Sequence, residues 1–363
     1  MRKIIRIADG FVALLSAVVF SFVIYGSAVL PEEITAYEND SGRWNALFSY
    51  SENERAQSVD FQTVGTQQKT LKLLGVVPVK TVSVTSSETK TVFVSGEAFG
   101  IKLYTNGVMV VGTQSVDLGD KKVNPAEEAG IQVGDILLSI NNMNVFTSDE
   151  VTQILNDNNG KPYTIRLKRD GRYKTFRLTP VFSDREGCYK AGMWVRDSVA
   201  GIGTITFYNQ EEGTFAALGH QINDVDTNTM MPLLDGEAVS ATVTKVQKAS
   251  AGTTGSLVCD FGEDTIGRLT DNTEWGLYGA YTSLGSDAKE YPLASKQEVK
   301  KGYAQILSTV DSGTPRYFDI EITHISYNKS EEQKDIVFRV TDSELLKTTG
   351  GIVQGMSGSP IVQ

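Results

Sequence analysis

Residues 11–30 read FVALLSAVVFSFVIYGSAVL, an uncharged run of 20 residues. As a helix rising about 1.5 Å per residue, such a run can cross the ~30 Å hydrocarbon core of a bilayer. Arg2, Lys3 and Arg6 precede it, and Glu32, Glu33, Glu38 and Asp40 follow it. That asymmetry puts the N-terminus in the cytoplasm and the bulk of the chain outside it. A cleavable signal peptide is the competing reading. The run is long for a signal core, and Gly26-Ser27-Ala28 is a weak cleavage site, so an uncleaved anchor over residues 1–31 is expected. Outside the cytoplasm Cys188 and Cys259 are free to pair. They lie 71 positions apart, and the sequence does not choose between one disulfide and two unpaired thiols.

The 363 residues leave room for two or three domains, and 40% apolar residues suffice for their cores. The net charge is -10 and the isoelectric point about 4.9, with no basic cluster to track a phosphate backbone. Nucleic acid is therefore excluded as a partner. The only histidines are His220 and His324, and with two cysteines they form no zinc-ligand spacing and no HExxH. Neither a metal nor an organic cofactor is expected.

Residues 32–95 read as a stalk and a leading β segment. Asn39-Asp40-Ser41-Gly42 is loop-like, and LKLLGVVPVKTVSV (71–84) is apolar and β-rich before the break at 86–90. Residues 96–182 carry sharper signals. AFGIKLYTNGVMVVG predicts two strands joined by a hairpin turn at Thr105-Asn106-Gly107. Asn124-Pro125 opens a short helix that Gly130 closes, Gly134-Asp135 turns into the strand ILLSI, and TSDEVTQIL (147–155) has a helix start with Val151 and Leu155 on one face. A polar-faced hairpin follows around Asp170-Gly171.

This order resembles a bacterial-type PDZ domain, through Ala98-Phe99-Gly100-Ile101 and the stretch from Pro125-Ala126 to Gly134-Asp135-Ile136-Leu137. The resemblance implies that Phe99, Gly100 and Ile101 line a carboxylate-binding loop, with the helix 150–155 as the facing wall. A peptide C-terminus would then add as an extra strand. The competing reading is a groove packed internally on the rest of the chain. From 190 to 363 many short strands with Gly, Asn and Asp turns predict a β-barrel or sandwich, which makes the chain mainly β.

The stretch GMSGSP (355–360) is a common small-residue turn, and also a way to present a serine. A serine hydroxyl needs a base, most often histidine, and two N–H groups facing the oxyanion. Here Ser357 is the candidate nucleophile, the N–H groups of Gly355 and Ser357 the candidate oxyanion hole, and Ser359 a support for the turn. His220, after the apolar segment TFAALG, is the preferred base; His324 alternates within a strand. Asp224, Asp226, Asp260, Asp264 and Asp342 are the candidate carboxylates. For Asp342 the physics ranks a helix N-cap ahead of catalysis. Triads are recognised by geometry, not order.

The turn itself resembles that of trypsin-like serine peptidases. The anchor, the PDZ-like region, ALGHQI and VTDSELLKTTGGIVQGMSGSPIVQ together resemble the stage IV sporulation protein B serine peptidase family over nearly the whole chain. The resemblance implies a trypsin-like barrel and a triad of His220, Asp342 and Ser357. It implies an endopeptidase of endospore formation, exported to the space between the forespore membranes, that cleaves itself and a membrane-bound regulatory protein. That cut triggers an intramembrane protease and activates a late mother-cell sigma factor. The family carries a few dozen residues beyond this motif, so the barrel is expected to be incomplete at its C-terminal end. Met356 stands where many trypsin-like enzymes have an aspartate that pairs with a new N-terminus, so activation by N-terminal insertion is not expected. The alternative is a non-catalytic extracytoplasmic PDZ scaffold with an inactive peptidase-like domain; a purely structural envelope protein ranks third.

Overall fold

The structure is a computed structural model and describes residues 2–37, 44–50, 66–157, 159–282, 288–328 and 335–363. The loop expected at 39–42 lies outside the described residues. A helix spans Arg2–Val29, and its apolar stretch Asp9–Val29 is long enough to cross a membrane. Its side chains Phe11, Leu14, Phe20 and Ile24 are exposed, as a lipid-facing helix requires.

Where the helix ends, a small four-stranded sheet begins, in the order Glu33–Ala36, Val77–Ser86, Thr66–Leu73, Phe48–Ser49. Alternate residues Leu71 and Leu73, Val82 and Val84, and Ile34 and Ala36 fill its core, with Leu30 and Phe48. Period-two alternation of this kind is what a sheet covered on one face demands.

The centre of the molecule is a 13-stranded sheet organised on one strand, Ala98–Thr113. The hairpin expected at 105–107 does not form. The chain runs straight through as one strand of 16 residues. Its partners arrive from far along the sequence: Met193–Thr204 pairs on one edge, while Leu233–Gln247 and Ile136–Ile140 share the other. Asn106 N donates to Pro232 O at 3.0 Å, so the turn-prone residues bend against a neighbour instead of reversing. Gly107, with φ of 98°, absorbs the bend.

Two cores hang from this strand. Val108 and Val110 pack with Leu137, Ile140, Val151, Leu155, Ile165 and Leu167. Phe99, Ile101 and Leu103 pack with Phe215, Ala238, Leu269 and Leu277. The PDZ-like region is thus an excursion from the β-rich unit, leaving along 108–113 and returning along 193–197. Its local signals form as the sequence reads. Asn124 caps the helix Pro125–Ala129, Gly130 ends it in the left-handed region, and Thr147 and Glu150 cap the helix Ser148–Asp157 reciprocally. Asp170 and Gly171, with φ of 50° and 75°, join the hairpin strands Tyr163–Arg169 and Arg172–Leu178.

The last layer is a four-stranded sheet in the order Ile336–Val340, Arg316–Ile325, Gly302–Ser308, Ile361–Val362. It closes a third core of Val243, Leu257, Ile306, Phe318, Ile320, Leu345 and Met356. The whole is a mixed α/β architecture: one apolar N-terminal helix, a PDZ-like region and a β-rich C-terminal region. Cys188 and Cys259 are half-buried and unpaired.

Candidate active site

The turn 355–360 is shaped by glycines at two places. Gly355 and Gly358 have φ of 98° and 97°, where a side chain is strained. A Cβ on Gly358 would lie 2.3 Å from Thr204 O and 3.0 Å from Leu218 O, so the turn is pressed flat onto two strand ends. Hydroxyl groups hold it there. Thr204 Oγ1 donates to Gly355 O (2.7 Å), and Thr204 N donates to Ser357 O (3.2 Å). Thr206 Oγ1 donates to Gly358 O (2.7 Å) and accepts from Leu218 N (2.9 Å). A single hydroxyl therefore ties the segment before His220 to the residue after Ser357. Ser359 Oγ sits 2.7 Å from Met356 O and 2.9 Å from Ser308 Oγ, inside the turn. Met356 is 3% exposed and anchors the turn in the third core.

The histidine segment meets this turn edge on. The strand Thr214–Leu218 ends against it, and a Cβ on Gly219 would stand 3.5 Å from Ser357 Cβ and 3.6 Å from Gly358 N. Gly219 N donates to Trp275 O (2.9 Å). The Asn272 amide holds the following loop: its Oδ1 accepts from Ile222 N (2.8 Å), and its Nδ2 donates to Ile222 O and Met231 O (3.0 and 2.9 Å). His220 and Ser357 are both exposed. His220 Nδ1 lies 2.9 Å from Gln221 O. A carbonyl only accepts, so Nδ1 is the donor in this contact, and Nε2 is the ring nitrogen left to face a substrate or nucleophile. Among the described residues, neither Gly355 N nor Ser357 N donates to another protein group, which leaves both free for an oxyanion.

Asp342 is elsewhere. It caps the helix Ser343–Thr349: Oδ1 accepts from Leu345 N (2.8 Å), and Oδ2 lies 3.4 Å from Asp319 N. No hydrogen bond joins it to His220, and none joins His220 to Ser357, among the described residues. Asp224 and Asp226 are committed too. Arg196, on the strand returning from the PDZ-like region, binds both, and Asp226 Oδ2 is 2.8 Å from its Nη2. Burial pushes the Asp224 carboxyl up, but hydrogen bonds from Thr227 and the Arg196 guanidinium outweigh it and hold it below the usual carboxylate range. Asp260 and Asp264 lie on the strand Ser256–Thr273, and His324 is exposed on Arg316–Ile325. No group of three potential metal ligands occurs among the described residues. A cavity of about 1330 Å³ opens behind the turn, with Thr206, Leu218 and Pro360 in its wall, and neither Ser357 nor His220 lines it.

The residues expected to bind a peptide carboxylate require a correction. Phe99, Gly100 and Ile101 form no loop. They are mid-strand, opposite Gly203, Ile202 and Gly201 on one edge and Ser240, Val239 and Ala238 on the other. With both edges paired, their N–H groups are committed, and the Phe99 and Ile101 side chains are buried in the second core. The helix Ser148–Asp157 lies instead beside the strand Met193–Thr204. Ser148 N donates to Asp197 Oδ2 (2.7 Å) at one end, and Tyr189 N donates to Asn156 Oδ1 (2.9 Å) at the other. That strand pairs only on its 98–113 side among the described residues. Thr204 and Thr206 were missed as site residues. Their signal was two hydroxyls at i and i+2 in GTITF, legible only once Gly355 and Gly358 are known to lie across from them.

A PDZ-like region carried on a β-rich unit that presents a serine turn beside a histidine is the build of a PDZ-bearing peptidase. Residues 187–363 match the family model of the SpoIVB peptidase S55, and residues 123–169 match that of a PDZ domain. The C-terminal half of the chain thus matches the SpoIVB peptidase S55 family. A Clostridium acetobutylicum protein whose name assigns it to the zinc metalloproteases is 33% identical over 70 residues, 19% of this chain. The chain spans about a fifth (21%) of that relative's length. The PDZ domain of an SdrC-like protein from Listeria monocytogenes is 20% identical, covering 25% of this chain and 87% of that domain, with a TM-score of 0.21.

Proposed function

We propose that the chain is a membrane-anchored serine endopeptidase in which Ser357 attacks the scissile carbonyl and His220 takes its proton. The N–H groups of Gly355 and Ser357 receive the oxyanion. The observation that carries this reading is the close approach of Gly219, the residue before His220, to Ser357, where an added Cβ would stand 3.5 Å from Ser357 Cβ, on a turn whose two oxyanion donors have no internal acceptor among the described residues. On this reading the β-rich region is a trypsin-like barrel pair, with the second and third cores as its halves. Asp342 is the carboxylate that orients His220 in the assembled site; in the conformation described it is a helix cap, and Gln221 O holds the Nδ1 proton instead. The peptidase cleaves itself and a membrane-bound regulatory protein between the forespore membranes, and that cut sets off intramembrane proteolysis and late mother-cell sigma factor activation.

Peptide C-termini add to the unpaired edge of 193–197, against the helix Ser148–Asp157, rather than at 99–101. Arg196 on that strand grips Asp224 and Asp226, so occupancy of this edge acts on the loop that follows His220.

The capping role of Asp342 favours one other reading, a PDZ scaffold with an inactive peptidase-like domain. Self-cleavage separates the two. Intact mass and N-terminal sequencing of the full chain should find fragments for the wild type and a single species for Ser357→Ala and His220→Ala. Equal fragmentation of the Ser357→Ala chain would overturn the peptidase reading.

A further inference from the structure

The apolar stretch LLGVVPV forms the tip of a hairpin whose place beside the N-terminal helix has no role in the chemistry above. We propose that this tip, between Thr66–Leu73 and Val77–Ser86, is a second membrane-contacting element that enters the extracytoplasmic leaflet alongside the helix. The inference rests on the reading of Asp9–Val29 as a membrane span.

Register fixes which way the hairpin points. The chain leaving the helix runs parallel to the second hairpin strand, with Glu33 opposite Ser83 and Ala36 opposite Ser86. One step back, Lys80 Nζ donates to Leu30 O at 2.8 Å. Further back, a Cβ on Gly26 would lie 2.9 Å from Val79 Cγ1 and 3.0 Å from the Phe48 ring. Further still, Val19 packs on the same small core. Moving toward the helix N-terminus is therefore moving toward the hairpin tip. From Lys80 to Val76 the strand descends about 13 Å at ~3.3 Å per residue. From Leu30 to Val19 the helix descends about 16 Å at ~1.5 Å per residue. Half of a hydrocarbon core is about 15 Å. A helix set at its proper depth carries the tip into the leaflet with it.

The composition of the tip agrees. Leu74 and Val76 are 70% and 77% exposed, and Leu47, whose carbonyl accepts from Leu74 N, is 39% exposed beside them. Exposure of that size on adjoining aliphatic residues is costly in water and favourable in lipid. Lys72 is the single charged residue from 71 to 79. Lys80 and Glu32 mark the polar boundary, 4.0 Å apart. At that boundary Asn328 bonds Glu32 N and Leu30 O, and nearer the tip Trp44, whose N donates to Phe48 O opposite Leu73, stacks edge-on against Tyr327 at 4.8 Å. The same sheet that dips into lipid is thereby tied to the C-terminal sheet. A single helix would let the body swivel; helix and hairpin together fix its height and face over the bilayer.

The test is depth-dependent quenching on the full chain in phosphatidylethanolamine–phosphatidylglycerol vesicles. A Cys188→Ser/Cys259→Ser background carries one bimane-labelled cysteine at a time: Leu74→Cys, Val76→Cys, Phe20→Cys in the helix, or Asp120→Cys on the PDZ-like region. Sites 74, 76 and 20 should be quenched by nitroxide lipids and protected from iodide, and site 120 the reverse. Adding Leu74→Asp should abolish lipid quenching at 76 and leave site 20 unchanged. Iodide quenching at 74 and 76 with site 20 still in lipid would overturn the proposal and leave the anchor standing. Protection of 74 and 76 from both quenchers would overturn it in favour of a protein contact. Iodide quenching at site 20 would remove the anchor reading and the proposal together.

Discussion

Two glycine-containing stretches, AFGI at 98–101 and GMSGSP at 355–360, each carry the sequence pattern of a place where backbone N–H groups await a ligand. They fold in opposite ways. Around Gly100 the chain is a central strand, paired with Met193–Thr204 on one edge and Leu233–Gln247 on the other, so no donor is left over. Around Ser357 the carbonyls are tied down by Thr204 and Thr206, while the N–H groups of Gly355 and Ser357 stay free. A motif predicts a donor site only when the neighbouring chain takes its carbonyls and leaves its N–H groups. That accounting is made by residues more than a hundred positions away.

The sharpest way to break the comparison is at Gly358. A Gly358→Val side chain has no room at 2.3 Å from Thr204 O and sits at a strained φ, so the turn must leave its site. All reactivity at Ser357 should vanish, while the PDZ-like core, measured by its hydrogen-exchange protection, survives. Phe99→Ala should cost about 3–5 kcal/mol in denaturant unfolding, as a core cavity does. Once the variant is folded it should leave affinity for carboxylate-terminated peptides unchanged; a selective loss of peptide affinity would restore the loop reading. Asp224→Asn removes the charge of a buried carboxylate whose partner Arg196 is partly exposed and still paired with Asp226, and should cost about 1–3 kcal/mol. Because the folded Asp224 pKa is depressed, its contribution is present above the unfolded value near ~4 and is lost as pH falls through the lower folded value. The wild type and Asp224→Asn should therefore converge in stability in acid. Thr206→Val leaves Leu218 N and Gly358 O without their shared hydroxyl and should cost about 1–3 kcal/mol, with slower reaction at Ser357. Met356→Leu keeps the volume of a buried apolar residue and should cost less than about 1.5 kcal/mol, with reactivity nearly intact.

What was legible in the sequence was local. Asn124-Pro125 with Gly130, Thr147 with Glu150, and Asp170-Gly171 each complete their hydrogen bonds within a few residues, and each formed as written. Asp342 as a cap belongs with them, since its acceptor role needs only Leu345 N, three positions on. The turn at Thr105-Asn106-Gly107 has equally good local chemistry and was overruled, because the strands that flank it come from 193–204 and 233–247. The serine turn and the histidine were visible as residue types. Their adjacency was not, since it is made by Thr206 bridging Leu218 and Gly358. The apolar run 71–79 was visible as β-rich, but its position along the helix follows only from the register of Glu33–Ala36 on Val77–Ser86.

The central claim is that the backbone arrangement at 355–358, with His220 beside it, makes one serine hydroxyl reactive. Fluorophosphonate labelling of the full chain in detergent, followed by peptide mapping, tests it directly. The account predicts covalent label on Ser357, none on Ser359, and loss of label in both Ser357→Ala and His220→Ala. A folded wild-type chain that takes no label, or that takes it on Ser359, would contradict it.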